Sequence, residues 1–327
     1  MPRSCRPARI ALPAMLMAFA LAPWPAASQT PYPSQTIKLI IPNAPGGLPD
    51  TVSRIVGRRL QERSSQSVVV ENRPGANGRV AVAALLSAPA DGYTLVVTDG
   101  AILSINPLIH ASLSYAPSDI LPIAMLARAP LFLAVHPKVP AATMSEFIAY
   151  ARARPGQINY GSSGVGSTHH LSMEAMNASL ALAMAHVPFK GTGESVPALL
   201  GGHIEVLFSA YPSLSGAAEG KQVRLLATNG AQRSAQAPDL PSLAEFIPGF
   251  DFAPVIGIFG RTGTPPAVVQ KIVAEALAVV GEPDLIRQLA VVGVEPAGAG
   301  PQDFASILQA EGRRAAEAVR AAGIKPK

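Results

Sequence analysis

Hydrophobic residues recur along the chain in two alternating rhythms, and that alternation predicts the fold class. Short β-rich runs stand at Ile37-Lys38-Leu39-Ile40-Ile41, Val68-Val69-Val70-Glu71 and Tyr93-Thr94-Leu95-Val96-Val97-Thr98. Between them apolar residues fall at helical spacing, first through Val52, Ile55, Val56 and Leu60 and then through Val80, Val82, Ala83 and Leu86. Strands alternating with helices predict parallel βαβ units, in which ligands gather at the carboxyl ends of the strands. The loop of Gly46-Gly47 and the end of the Thr98 run then lie along one edge.

Asn106-Pro107 to Pro122 reads as loop, and Ile123 to Leu126 followed by Leu131 to Val135 as two strands that cross between lobes. Thr143-Met144-Ser145-Glu146 fits a capping box for a helix through Phe147, Ile148 and Ala151. Strands at Ile158 to Tyr160, Ile204 to Phe208 and Val223 to Thr228 alternate with helical patterns at 171–176 and 196–200, and Ala185 to Phe189 leads into the glycine turn at Lys190-Gly191. Phe252 to Phe259 predicts a strand returning to the first lobe, Pro265 opens a helix through Ile272 and Ala276, and 285–289 and 304–319 supply the last helices. The expectation is an α/β fold in two lobes with a ligand cleft between them, closing like a hinge. Lobe 1 takes 29–128 and 253–327, and lobe 2 takes 129–252.

Composition narrows the class. Of 327 residues, 14% are charged, 5% aromatic and 49% hydrophobic, which describes an Ala-rich soluble globular protein. Arg3, Arg6 and Arg9 precede an apolar stretch from Ile10 to Ala22 that is too short to span a bilayer, and Ala26-Ala27-Ser28 offers a cleavage region. Residues 1–28 are therefore read as a signal peptide cleaved after Ala27 or Ser28. Its removal takes away Cys5, which excludes disulfides and cysteine-ligated metals from the mature chain, and lowers the formal charge from +5 to +2 by removing three arginines. The remaining chain has no basic run suited to nucleic acid and no later apolar run of spanning length. The expected product is a soluble, exported, periplasmic protein.

The candidate chemistry is a set of glycine turns. Tyr160 to Leu171, Tyr-Gly-Ser-Ser-Gly-Val-Gly-Ser-Thr-His-His-Leu, is a glycine- and hydroxyl-rich loop running into a helix. Helix-start N–H groups carry partial positive charge, and Gly164 and Gly166 would let the backbone approach an oxyanion, so the loop reads as an anion cradle. The alternative is a loop that only caps its own helix through Ser167. Pro45-Gly46-Gly47-Leu48-Pro49-Asp50 turns the first strand into a helix, with Asp50 as expected N-cap, and is either a second backbone-donor loop or a plain turn. Lys190-Gly191-Thr192-Gly193-Glu194 repeats the theme, and Lys190 either lends charge to an anion or is merely solvated.

Familiar motifs fail at the residue their mechanism needs. Gly161 to Thr168 has P-loop spacing, but Ser167 replaces the lysine. His169 replaces the third glycine of a dinucleotide fingerprint, and Val165 the closing glycine of a serine-hydrolase elbow. His169, His170 and Glu174 alone have metal-like composition, and such a cluster is too small for a stable site. No nucleophile–base pair is recognisable, no cofactor is expected, and an enzyme acting on a small acid stays as the rival reading.

Taken in order, Ala44-Pro45-Gly46-Gly47 with Asp50, Glu71-Asn72-Arg73-Pro74-Gly75-Ala76, Ala90-Asp91-Gly92-Tyr93-Thr94-Leu95, Tyr160 to Ser167, Val187-Pro188-Phe189-Lys190-Gly191 and Leu199-Leu200-Gly201-Gly202 resemble the Bug family of extracytoplasmic solute receptors. These serve as substrate-binding proteins of tripartite tricarboxylate transporters. The resemblance implies a periplasmic-binding-protein-like fold without catalytic activity, usually monomeric, which captures small organic carboxylates and delivers them to membrane permease subunits. A receptor that signals to a membrane sensor would use the same site. By resemblance the ligand-binding residues are Pro45, Gly46, Gly47, Asp50 and Thr98 from one lobe and Ser162, Ser163, Gly166, Ser167, Lys190, Gly191 and Ser209 from the other. Ser209 departs from the aspartate family members often carry there, and Leu48-Pro49 is stiffer than the usual small residues, so both bear on which ligand is accepted.

Overall fold

The computed structural model describes Met1, residues 31–43 and residues 45–326. The signal peptide read over 1–28 lies, Met1 aside, outside the described residues. In chain order the first half runs β1 (Ile37–Ile41), α1 (Leu48–Ser64), β2 (Val68–Asn72), α2 (Arg79–Ser87), β3 (Thr94–Asp99), α3 (Ala101–Ser104), α4 (Asn106–Ile109), β4 (Ile120–Arg128), β5 (Leu131–Val135), α5 (Met144–Arg152), β6 (Asn159–Ser162) and α6 (Thr168–Leu180). The second half runs β7 (Ala185–Pro188), α7 (Thr192–Leu200), β8 (Val206–Ala210), α8 (Tyr211–Glu219), β9 (Arg224–Thr228), β10 (Val255–Arg261), α9 (Pro266–Val280), α10 (Pro283–Val291), β11 (Glu295–Ala299) and α11 (Pro301–Ala321).

Two sheets result, a six-stranded one in the order β11-β4-β10-β3-β1-β2 and a five-stranded one in the order β7-β6-β8-β5-β9. β1 lies between β2 and β3, parallel to both, because α1 and α2 act as crossovers. The strands are short and dense in branched residues because both of their faces are covered. Leu39, Ile40 and Ile41 are almost completely buried, packing under Val52, Val56 and Leu60 on one face and Val82 and Leu85 on the other.

The chain crosses from one sheet to the other between Arg128 and Leu131 and returns between Thr228 and Val255. One buried side chain ties the two crossings. Asn229 accepts from the Leu131 N–H at 2.8 Å, donates to the Phe252 carbonyl at 2.9 Å and donates to Ser172 Oγ on α6 at 3.2 Å. α11 adds a second tie. Its Phe304 and Leu308 pack in the core of the first sheet, while Ala315, Ala318 and Val319 join Phe147, Tyr160 and Leu171 in the core of the second.

Three expectations need correction. The stretch read as loop from Asn106 to Pro122 contains α4 and the first residues of β4. Pro107 stands in the first turn of α4, where its missing N–H costs nothing, and Ile105 and Ile109 bury one turn apart. Asp50 is not the N-cap of α1; Gly47 is, and Asp50 is the third helical residue. α8 and β11 were not foreseen, since Tyr-Pro-Ser-Leu-Ser-Gly-Ala-Ala-Glu and Glu-Pro-Ala-Gly-Ala lack a clear apolar rhythm.

Candidate functional site

The carboxyl ends of the parallel strands in both sheets lie where the chain crosses. In the first sheet Asp99 pairs with Ile256 and Arg128 with Val255, so the loops after β1 and β3 share an edge with the crossing. In the second sheet Leu131 pairs with Ala210 and Phe132 with Thr228, and Tyr160 and Gly161 of β6 run parallel to Val206 and Leu207 of β8. The loops after β6, β7 and β8 therefore share the opposing edge. The two edges come close at Gly166, which has φ +79° and where a Cβ would stand 2.9 Å from Ile109 Cδ1 of α4.

On the first edge a carboxylate organises the loop. Asp50 is buried and receives the Gly46 N–H at 2.9 Å, Asn72 Nδ2 at 2.9 Å, and Arg54 through Nε at 3.0 Å and Nη2 at 2.9 Å. Burial would raise its pKa, but the bonds to Arg54, Gly46 and Asn72 outweigh this and hold it below the usual carboxylate range. Asp50 is thus saturated by protein donors, and Gly46 turns at φ +83° to supply one of them. Pro45 and Gly46 are exposed, Gly47 is half-buried, and Thr98 is buried on β3 opposite Gly257.

Behind Thr98 stands an acidic pair that sequence reading missed. Asp99 is pushed up by burial, and Glu311 of α11 is pushed up to about 8 by burial and by Asp99. Glu311 sits on the apolar stripe Phe304, Leu308, Ala315 and Ala318, and a carboxylate in that register is the signal that could have found it. Its neighbour Arg314 reaches Asp251 at 3.5 Å, and Arg128 bonds the same carboxylate at 2.7 Å.

On the second edge hydroxyls and imidazoles organise the loop. Ser162 Oγ lies 2.7 Å from His186 Nε2, Ser163 Oγ lies 2.8 Å from His169 Nδ1, and the Gly166 N–H donates to His170 Nδ1 at 3.1 Å. Ser167 is the N-cap of α6: its Oγ accepts the His170 N–H at 3.2 Å and donates to the Gly164 carbonyl at 2.7 Å. The capping alternative therefore describes Ser167 itself. Among the described residues no hydrogen bond takes the amides of Ser163, Val165, Thr168 or His169, so the loop keeps outward donors. Ser162 and His186 form a nucleophile–base contact that sequence reading did not see. Ser162 is buried, and its Oγ also bonds the Gly164 N–H and carbonyl, which suits holding a loop rather than attacking a substrate.

Burial lowers the pKa of all three histidines, to about 4 for His169 and for His170, whose neighbour His186 adds to the effect. The remaining sequence-derived candidates scatter along the same edge. Lys190 is exposed, with its backbone N–H on Glu194 at 3.1 Å, and Gly191 is the open N-cap of α7. Ser209 on β8 is completely buried with no partner for its Oγ, and so is Thr228 on β9, which sequence reading passed over; both flank Phe132 on β5. Among the described residues no group of three or more His, Cys, Asp or Glu is placed to hold a metal ion.

Residues 52–324 match the model of the tripartite tricarboxylate transporter family receptor. The chain is 30% identical to the protein BugT of Bordetella pertussis over 299 residues, 90% of this chain and 92% of that one. Its structure resembles that of R. palustris Rpa4515 with adipate, at TM-score 0.79 and 32% identity over 90% of this chain and 100% of that one. It also resembles MatC from Rhodopseudomonas palustris with bound malate, at TM-score 0.72 and 27% identity over 88% of this chain and 100% of that one.

Proposed function

The chain belongs to the Bug-type receptors of the tripartite tricarboxylate transporter family, and from that premise we propose that it captures a small organic carboxylate between the two facing edges. It is a solute-binding receptor of two α/β lobes. We place the lobe boundaries at 29–128 with 253–327 and at 129–252, and read residues 1–28 as the signal peptide that sends the chain to the periplasm. No helix among the described residues is long and apolar enough to cross a membrane.

The observation that carries the reading is a pair of glycine loops opening helices, one on each edge, with no arginine in either loop. A carboxylate held there is met by backbone N–H groups, hydroxyls and helix starts. Gly47 and Thr98 would serve from the first edge and Ser163, Lys190, Gly191 and the free amides of Val165, Thr168 and His169 from the second, while Asp50, Ser162, Gly166 and Ser167 shape the loops from behind. Ser209 and Thr228, with their uncommitted hydroxyls, would meet the far end of the ligand. The permease subunits are the proposed recipients, and the receptor works as a monomer without turnover.

The test is a thermal-shift screen of the purified protein against adipate, malate and longer or aromatic acids. A ligand at a hundred times its dissociation constant adds about 2.7 kcal/mol, enough to raise Tm by several degrees. A binder recovered unchanged supports the receptor, a binder that is consumed overturns it in favour of an enzyme, and silence across carboxylates removes the carboxylate assignment.

A further inference from the structure

Beneath the Ser162 to Ser167 loop lies a stack of three rings. His170 of α6 and His186 of β7 face each other with centroids 3.9 Å apart and planes 17° from parallel, and Tyr160 of β6 continues the stack at 4.9 Å from His186. The stack grips both ends of the loop. His186 holds Ser162 Oγ at its start, and His170 Nδ1 accepts the Gly166 N–H near its end. An Nδ1 that accepts leaves the ring proton on Nε2, which points toward Glu174 Oε1 at 3.9 Å. Glu174 in turn accepts the Tyr160 hydroxyl.

Histidines under an anion-binding loop invite the reading that they are imidazolium receptors for the carboxylate. The geometry points elsewhere: we propose that His170 is a positioning residue, an uncharged acceptor that fixes the Gly166 peptide and, stacked on His186, sets the shape of the ligand loop. A protonated His170 would set an N–H against the N–H of Gly166, and the loop would lose its inner anchor. Two imidazolium rings at 3.9 Å would also repel. The groups that face the ring are Glu174 on its own helix, Tyr160 on β6 and His186 on β7. From α11, which packs on α6, the residues of the shared core are Ala315, Ala318 and Val319, all apolar. No cation is brought to the loop by this arrangement, and its burial keeps both rings below their ordinary pKa.

The inference rests on the reading of this loop as ligand-binding, so its test has one arm with ligand and one without. With adipate as the probe, calorimetry at pH 7 in buffers of different ionisation enthalpy should show no net proton uptake; uptake approaching one proton per ligand would overturn the neutral role. His170→Asn, which keeps an acceptor near the Nδ1 position, should bind within about threefold of the parent, and His170→Phe, which keeps the ring but not the acceptor, should lose about tenfold, the worth of a hydrogen bond. Equal losses in the two variants would reduce His170 to packing. Without ligand, nitrogen-15 spectra should show His170 as the Nε2–H tautomer, and the Gly166 amide should exchange faster in His170→Phe than in His170→Asn. A protonated Nδ1, or unchanged exchange, overturns the proposal even if adipate fails to bind, whereas failure of adipate alone counts against the proposed ligand.

Discussion

The two edges perform the same task with opposite electrostatics. The first shapes its loop around an ionised carboxylate, Asp50, locked by Arg54 and Asn72, with the half-buried acids Asp99 and Glu311 beyond it. The second shapes its loop around hydroxyls and three imidazoles whose pKa values burial lowers. Neither way of holding the loop adds an unpaired positive charge. On the proposed reading, an anion between the edges would be held mainly by oriented dipoles, which would leave ligand choice to shape and to the hydroxyls at the far end.

The comparison can be broken most severely at Asp50. Asp50→Ala takes the shared acceptor from the Gly46 N–H, the Asn72 amide and the exposed Arg54 guanidinium, and should cost about 3 kcal/mol in denaturant unfolding and most of the ligand affinity. A loss below about 1 kcal/mol, the range of a surface ion pair, would show the carboxylate to be peripheral. Glu311→Gln should act the other way. Burial and Asp99 push Glu311 up to about 8 from an ordinary value of 4.5, so stability falls as pH rises through that window. The amide should therefore stabilise the protein by roughly 3–4 kcal/mol at pH 8 and leave it nearly unchanged at pH 4.5, which unfolding at the two pH values will check. Ser163→Ala should do least, about 0.5–1 kcal/mol, because its bond to His169 is half-exposed and water can replace it. A larger loss in the melting curve would mean that the hydroxyl of Ser163 carries part of the second loop's order.

Much of this was legible in the chain. β1 and β3 announce themselves through runs of Ile, Leu and Val that only a doubly covered strand can bury, β2 through its Val68-Val69-Val70 run, and the glycine loops stand where the rhythm switches from strand to helix. The anchors behind the loops were not legible, because each is a long-range meeting. Asn72 reaches Asp50 across 22 residues, His186 reaches Ser162 across 24, and Asn229 reaches Leu131 across 98. Local pattern also misassigned Asp50: an aspartate after Pro-Gly-Gly-Leu-Pro looks like a cap, but Pro49 enters the helix and carries Asp50 into its first turn, where its side chain bends back to Gly46. β11 escaped notice because it lies on an edge, paired to β4 alone, and needs no branched side chains.

α11 has a consequence for how the molecule comes into being. Synthesis proceeds from the first residue to the last, and residues 301–321 complete the apolar interior of both sheets. Until they arrive, one face of each sheet lacks part of its apolar cover. Those two faces can close only once residues 301–321 are available, so the packing that joins the two sheets is completed at the end of synthesis.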